Sequence, residues 1–442
     1  MLSKPSRSSR LWAIALPMML ANVSIAVFGL IDAAVVGHLE HEAFLAGVAL
    51  ASVLFDFLYW GVTFLRMGTT GVVAQNYGAT NFSDCRRALL EAIAVSLLLA
   101  VVILLCHPVI AHYGLSLLDG SAAAREHAET YFSIKIWGAP GVLMTMVMTG
   151  WLIGMQRASY VLKLTAVASL LNAGLDLFFV FGLGLGVEGV AMAALINAYF
   201  STALGGVYCV KVLRQHGETL RWSPLVASRV RRFVALNLNI LIRTLCLISA
   251  FALFTRYGAG QGDTILAANA VLLSFQMLLA LSLDGFANAL EVLVGEAIGN
   301  KDHTAFISSI KLGTAWSVLG AILFSVSNFL FGQHLVYLLT DIERVAETAL
   351  IYLPWMALSP LVAVWCFVFD GIFIGATQGR AMRNSMMFSL LLVFIPALLA
   401  LDDFGNHGLW GAFLMFFAAR GISMAYLFFR IENRRGFVAQ DA

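Results

Sequence analysis

Carboxylates inside long apolar stretches are the residues of this sequence that could do chemistry. Asp32 lies within the apolar run from Leu11 to Gly37, and Asn172 and Asp176 lie four residues apart in the later run SLLNAGLDLFFVFGLGLGVEG. A carboxylate at the centre of a bilayer costs about 2.5–3.5 kcal/mol or more, so such residues are functional candidates. Residues four apart share one face of a helix. If the two helices adjoin, the three side chains form one polar pocket.

Such a pocket can hold a cation. Two carboxylates close together favour the binding of a proton by one of them, and several oxygen ligands suit Na⁺ equally well. A structural hydrogen-bond cluster is the alternative interpretation. Pro17, in the same run as Asp32, removes a backbone donor and predicts a hinge. A helix with both features is expected to bend when its charge changes.

A second set of polar residues lies in the latter half of the chain. Asp284, Asn288 and Glu291 follow the i, i+4, i+7 spacing of one helix face. Asp370 lies in the apolar stretch FVFDGIFIG. We expect these four residues to be cavity candidates of the second half, with interhelical hydrogen bonding as the alternative. The counter-charges expected for the acids are the basic residues inside apolar spans: Arg66, Arg243 and Arg420.

The elements that must hold these residues are membrane helices. The chain has 442 residues, of which 60% are hydrophobic and 12% charged, and its mean hydropathy is +0.87. A soluble protein of this length could not keep so much apolar surface from water, and crossing a bilayer takes about 20 apolar residues. We predict twelve spans, at 11–37, 45–75, 86–113, 128–155, 158–184, 187–213, 231–257, 264–298, 304–332, 345–375, 382–401 and 407–431.

One basic, polar segment, KVLRQHGETLRWSPLVASRVRR, separates six spans from six. It predicts an N-terminal six-helix lobe at 1–213, a cytoplasmic linker at 214–230 and a C-terminal six-helix lobe at 231–442. Of the 27 lysines and arginines, twenty are assigned to the inner side, span ends included, and four to the outer side: Arg125, Lys135, Arg256 and Arg344. This bias predicts that both termini are cytoplasmic.

The two halves also resemble each other. A shift of 221 residues places Gly150 and Gly154 on Gly371 and Gly375, and these spacings permit close helix approach. Six spans per copy keep both copies in the same orientation, so the repeats are parallel. Parallel repeats occur in transporters, with substrate and ion sites near the repeat interface. Channels and membrane enzymes also duplicate, so the repeat alone does not decide between these classes.

Motifs of soluble catalysis are absent. The sequence has no HExxH, GxSxG or Walker A motif, and no GxGxxG with its acidic ribose ligand. Its five cysteines form no CxxC, so no metal site is indicated. We therefore expect no enzyme, no resident cofactor and no nucleic-acid partner, with transport driven by an ion gradient. A membrane enzyme with paired carboxylates and a channel are the rival classes.

Five stretches together resemble the multidrug and toxic compound extrusion (MATE) transporters, most of all their DinF-like branch. The resemblance covers essentially the whole chain. The stretches are ALPMMLANVSIAVFGLIDAAVVGHL, LRMGTTGVVAQNYGATN, LNAGLDLFFVFGLGLGVEGVAMA, LDGFANALEVLVGEAIGNKD and DGIFIGATQGRAMRNSM.

The resemblance implies an all-α polytopic membrane protein with twelve transmembrane helices in two pseudo-symmetric six-helix lobes around a central cleft. It also implies export of cationic or amphipathic compounds coupled to inward H⁺ or Na⁺. In related transporters the acid at the position of Asp32 is the coupling site, and bending at the position of Pro17 accompanies its protonation. Asn172 and Asp176 match the fifth-helix members of the same cluster.

The chain departs from the NorM-like branch, whose seventh helix bears an acidic cation ligand. Its seventh span has no carboxylate, although Asp370 matches the tenth-helix acid of that branch. Coupling through Asp32 is therefore favoured over a Na⁺ site in the second lobe. We expect a monomeric H⁺-coupled drug antiporter, surrounded by lipid in a bacterial inner membrane. The alternatives are a Na⁺-coupled antiporter, with Na⁺ at Asp32, Asn172 and Asp176, and a flippase for a lipid-linked precursor.

Overall fold

A computed structural model describes residues 6–37, 42–116, 121–221, 224–434 and 436–438, with the side chains of residues 28–43 outside this description. The described residues are almost entirely helical and contain no strand. Twelve helices among them are long and apolar enough to cross a membrane. The twelve predicted spans and the all-α polytopic class are therefore confirmed, and the chain is a multi-pass membrane protein.

Fifteen α-helices form these spans in the described residues. The first six spans consist of α1 (Arg7–Gly37), α2 (Glu42–Gly61), α3 (Phe64–Gly78), α4 (Phe82–Ser116), α5 (Ala122–Lys135), α6 (Ala139–Gly154), α7 (Ala158–Leu177) and α8 (Gly186–Gln215). The second six consist of α9 (Ala227–Gly260), α10 (Asp263–Gly299), α11 (His303–Leu339), α12 (Glu343–Gly375), α13 (Gly379–Phe388), α14 (Ile395–Ala400) and α15 (Gly405–Arg434). Two short π-helical segments, Phe178–Gly182 and Ser389–Phe394, extend the fifth and eleventh spans.

The second span is broken, although the sequence predicts one helix over 45–75. A tight turn separates α2 from α3, in which Val62 N–H donates to the Tyr59 carbonyl (3.1 Å) and Thr63 N–H to the Trp60 carbonyl (3.2 Å). Bonds between residues three apart are typical of a tightened turn at a helix end. The fourth span is interrupted by a 3₁₀ turn at Ile136–Gly138, and Pro140, which cannot donate a helical hydrogen bond, lies at the start of α6.

The two halves repeat the same helix crossings. Gly150 on α6 lies against the backbone of Arg66 on α3, and Gly371 on α12 lies against the backbone of Ala287 on α10. Both contacting residues of the second crossing lie 221 residues after their counterparts in the first crossing. A Cβ at either glycine would collide with a backbone carbonyl, so each crossing requires glycine. The repeat predicted from glycine spacing is confirmed.

The turns between spans repeat as well. Thr80 and Lys301, again 221 residues apart, have backbone φ angles of 54° and 55°. Gln156 and Thr377 form the second such pair, with φ angles of 59° and 54°. Positive φ is uncommon for residues other than glycine, so its recurrence at matching positions indicates that both copies turn in the same way.

Contacts divide the chain into two compact units. The N-terminal unit comprises Leu20–Ala235, and the C-terminal unit comprises Leu236–Ala442 together with the chain up to Met19. The division of α1 therefore falls between Met19 and Leu20, close to Pro17. The lobes predicted at 1–213 and 231–442 stay a prediction.

Aromatic side chains fill the interior of each unit. In the N-terminal unit the rings of Phe55 and Phe132 stack with centroids 5.0 Å apart. In the C-terminal unit Phe254 lies edge-on to Trp410 (5.0 Å) and contacts Phe413 (4.7 Å). Such pairs add to the burial of large apolar surfaces, so each unit has a well-packed framework on which polar side chains can be positioned.

Candidate functional site

An acid–amide pair whose acid is fully buried lies on α7 of the N-terminal unit. Asn172 Nδ2 donates to Asp176 Oδ2 over 2.8 Å, and Asp176 is 0% exposed. The predicted shared face is therefore confirmed. Asp176 is the penultimate residue of α7 and immediately precedes the π-helical segment Phe178–Gly182.

The π-helical segment widens the fifth span beside this pair. Leu183 N–H donates to the Phe178 carbonyl over 3.0 Å, a bond that spans five residues instead of four. Single π-turns inside α-helices occur frequently at functional sites. The sequence contained no signal for this segment, because the run FFVFG is compatible with an ordinary apolar helix.

The remaining members of the predicted coupling cluster lie on α1. Pro17 lies inside this helix, which runs from Arg7 to Gly37. Asp32 also belongs to α1, but its side chain lies outside the described residues. Its predicted contact with Asn172 and Asp176 therefore stays a prediction, as does the hinge.

The segment of α1 before and around Pro17 packs within the C-terminal unit. The Trp12 ring lies edge-on to Phe286 (5.3 Å) and Trp316 (5.1 Å). Further along, the Met19 side chain lies beside Gly285 of α10. Glycine at that position lets the two helices approach closely, so α1 packs against the C-terminal unit on both sides of Pro17, at Trp12 and at Met19.

A charged network lies within the C-terminal unit. Asp370 on α12 accepts hydrogen bonds from Arg243 on α9 and from Arg420 on α15. The exposed fractions are 6% for Arg243, 8% for Asp370 and 4% for Arg420. Both arginines are thus counter-charges, as the sequence predicts, and the structure assigns both to the same acid.

The hydrogen bonding of this network is incomplete among the described residues. Both guanidinium groups donate to the same oxygen, Asp370 Oδ2. Asp370 Oδ1 and Arg243 Nε are enclosed and have no hydrogen-bond partner in the described part of the chain. Enclosed polar atoms without partners are costly.

The other second-half candidates lie along α10. Asp284 is half-buried and close enough to interact electrostatically with Arg243 and Arg420. Asn288 and Glu291 are buried, with 4% and 2% exposed. Their predicted place in a cavity stays a prediction.

Sequence reasoning missed a polar network elsewhere in the C-terminal unit. Asn269 and Asn406 exchange side-chain hydrogen bonds of 2.8 and 2.9 Å, and Trp410 Nε1 donates to Asn269 Oδ1 over 2.9 Å. All three side chains are buried. Isolated amides in apolar spans were the available signal, but partners 137 residues apart cannot be matched from spacing alone.

A duplicated bundle of twelve membrane helices with ionisable residues inside its spans is typical of membrane transporters. The MatE family model matches residues 17–178 and 240–399. This chain therefore belongs to the MatE family, which is a family of transporters and not of enzymes.

Relatives cover nearly the full length of the chain. DNA damage-inducible protein F of Escherichia coli K12 is 38% identical over 430 residues, which are 96% of this chain and 93% of the relative. Multidrug resistance protein NorM of Aliivibrio fischeri is 22% identical over 92% of this chain and 90% of its own. A solved structure, described as the outward-facing conformation of a multidrug resistance MATE family transporter, is 20% identical. It matches with a TM-score of 0.88 over 97% of both chains, a likeness of fold.

Proposed function

We propose that this chain is a secondary-active multidrug exporter that exchanges H⁺ for cationic or amphipathic organic compounds by alternating access. The observation that carries the proposal is the fully buried Asp176 carboxylate, which accepts a hydrogen bond from the half-buried Asn172 in the apolar helix α7. A carboxylate in such a place is costly unless it binds a partner or a proton. Relatives described as multidrug resistance proteins support the same function.

In this proposal Asp32 is the coupling residue, assisted by Asn172 and Asp176. With the cavity open outward, Asp32 takes up a proton, α1 bends at Pro17, and the cavity loses affinity for the exported compound. Opening inward releases the proton to the cytoplasm and admits the next compound. The proton and the compound must prefer different conformations, because a ligand that binds both equally shifts neither.

The division of α1 supports a hinge at Pro17. The helix belongs to the C-terminal unit up to Met19 and to the N-terminal unit from Leu20 onward. Proline removes one helical hydrogen bond and crowds the preceding turn. A bend there would let the two segments of α1 follow different units.

The charged network of the C-terminal unit argues against a Na⁺ site at Asp370, because two guanidinium groups already occupy one of its oxygens. A Na⁺ site at Asp32, Asn172 and Asp176 is the alternative ion coupling, and a flippase for a lipid-linked precursor is the alternative transport reaction. The proposed setting is a bacterial inner membrane, with a monomeric protein and both termini in the cytoplasm.

The test uses inside-out vesicles that carry the wild type, Asp32→Asn, Asp176→Asn or, as a control, Asp403→Asn, which changes an exposed acid. A pH gradient is established, an ethidium-type lipophilic cation is added, and luminal pH is followed. We expect substrate-induced proton efflux in the wild type and in the control. At equal expression, Asp32→Asn should show none, and Asp176→Asn should be impaired.

Each of the other outcomes would favour a different coupling residue, coupling ion or transport reaction. Unchanged exchange in Asp32→Asn would remove this residue from the coupling role. Exchange that requires Na⁺ instead of a pH gradient would favour the sodium antiporter. A protein that responds to no organic cation, with or without Na⁺, would favour the lipid flippase.

A further inference from the structure

Two lysines from different helices of the N-terminal unit converge on one tyrosine. Lys163 on α7 and Lys211 on α8 place their ammonium groups 5.7 and 5.6 Å from the centre of the Tyr160 ring. Tyr208 on α8 stacks on the same tyrosine, with ring centroids 4.8 Å apart. An ammonium group within about 6 Å of an aromatic ring is attracted to its face. The tyrosines therefore gather positive charge where α7 begins and α8 ends.

The helices around these lysines supply no carboxylate to balance them. Asp176 and Glu188 are the only acids on α7 and α8, and each lies at the opposite end of its helix. Along the helix axes, Asp176 is about 20 Å from Lys163 and Glu188 is about 35 Å from Lys211. The helix α6, which packs against both α7 and α8, contains no ionisable residue. The positive charge is therefore left without a counter-charge on these three helices.

A third cation, Arg214, lies one helical turn after Lys211 on α8. The acid that follows it, Glu218, already accepts a hydrogen bond from Arg86 over 2.8 Å. Within the described part of the chain, the side chains of Lys163, Lys211 and Arg214 form no hydrogen bond and no ion pair. Three exposed cations at one end of two membrane helices thus remain available to an anionic ligand.

An open groove runs along α8 beside these cations. It has a volume of about 800 Å³ and is lined by Gly206, Val207, Val210, Lys211, Arg214 and Gln215. Gly206 leaves the groove open, because a Cβ there would meet only the end of the Met148 side chain, at 3.9 Å. Val207 is 61% exposed. The groove is therefore polar at the end of α8 and apolar over about 6 Å towards the middle of the span.

We propose that this groove binds a phospholipid of net negative charge, with its phosphate group at the three cations and an acyl chain along the apolar part. Basic residues at the ends of membrane helices attract anionic headgroups, and tyrosines are enriched at the boundary between membrane and water. A zwitterionic headgroup would bring a further positive charge to the site, which disfavours it. In the proposed orientation the lipid belongs to the inner leaflet. The inference goes beyond the proposed function and does not depend on it.

The test measures lipid binding to the purified full-length protein in detergent by native mass spectrometry. Phosphatidylglycerol and phosphatidylcholine with identical acyl chains are titrated, and the affinities for the first bound lipid are compared. We expect the wild type to bind phosphatidylglycerol at least about tenfold more tightly. Lys163→Gln and Lys211→Gln should each weaken binding of phosphatidylglycerol by about fivefold and change binding of phosphatidylcholine little. The double variant should lose most of the preference.

Two further variants separate the groove from the overall charge of the protein. Lys311→Gln is the matched control, because Lys311 is an exposed lysine of the membrane helix α11 that contacts no aromatic ring among the described residues. It should leave the preference unchanged. Gly206→Leu fills the apolar part of the groove without changing any charge, so it should weaken binding of both lipids. Glycerol 3-phosphate has the phosphate group without acyl chains, so it should not displace phosphatidylglycerol.

The inference would be overturned by equal affinity of the wild type for the two lipids. A loss in Lys311→Gln as large as that in Lys211→Gln would also overturn it, since binding would then follow the total positive charge. Unchanged binding in Gly206→Leu would place the lipid outside the groove, and displacement by glycerol 3-phosphate would assign the cations to a soluble phosphate compound instead. None of these results decides the proposed function, which the exchange of protons in vesicles tests separately.

Discussion

The two halves of the chain follow one backbone plan and place different charges on it. The crossings at Gly150 and Gly371 have partners that match residue for residue. The polar side chains do not match, because the same shift places Asp176 on Ala397 and Asp370 on Thr149. The backbone plan therefore needs its glycines in both copies but needs neither set of charges. The charged residues therefore serve the function of each half and are not needed to form its fold.

The largest expected difference between the halves concerns the acids themselves. Asp370→Ala leaves two buried guanidinium groups without their counter-charge and should lower stability by about 3–5 kcal/mol. Asp176→Asn keeps an amide next to Asn172 and should cost about 1 kcal/mol or less. Thermal unfolding of the purified proteins in one detergent measures both. Equal losses would mean that the arginines are not held by Asp370.

The sequence predicted the membrane spans and the repeat better than it predicted contacts between side chains of different helices. Apolar runs and glycine spacing are local signals, and they located the twelve spans and the repeat. The acid–amide pair on α7 was also predictable, because Asn172 and Asp176 lie one helical turn apart. The partner of Arg243 was not, because Asp370 is 127 residues away and the pairing depends on which helices adjoin.

Breaks inside spans were the other feature that the sequence did not reveal. The turn at Val62 and Thr63 interrupts the second span without a proline, and the residues around it are apolar enough for a continuous helix. The interruption of the fourth span, by contrast, lies next to a proline, Pro140. Proline acts on its own backbone, so its effect is local, whereas the turn after α2 depends on the packing of the neighbouring helices.

The helix crossings allow the similarity of the halves to be tested directly. Gly150→Ala and Gly371→Ala should each lower stability by about 1–3 kcal/mol, because the added methyl group meets a backbone carbonyl in both copies. Gly174→Ala is the matched control: it lies within α7, and a Cβ there meets nothing within 4 Å. This control should be neutral or stabilise by up to about 1 kcal/mol.

If only one of the two crossings tolerated alanine, the conclusion that both halves share the same close helix approach would be wrong. Equal losses at Gly150 and Gly371, measured by thermal unfolding in the same detergent, would show that both copies depend on the same close approach. A loss in Gly174→Ala of similar size would instead indicate that any added methyl group in these helices is destabilising.

The smallest expected effect concerns an ion pair that occurs in one half only. Arg229 at the start of α9 donates to both oxygens of Asp84 at the start of α4, over 2.7 and 3.3 Å. The 221-residue shift places these residues on Ser8 and Ala305, which cannot form such a pair. The Arg229 side chain is 41% exposed, so Arg229→Gln should cost less than about 1 kcal/mol. The loss of stability should be smaller still at high salt, because mobile ions screen exposed charges.

Thermal unfolding at low and high ionic strength measures this loss, with Arg87→Gln as the control for the second arginine on Asp84. A large loss of stability that does not depend on salt would mean that this ion pair is shielded from solvent, as the network at Asp370 is.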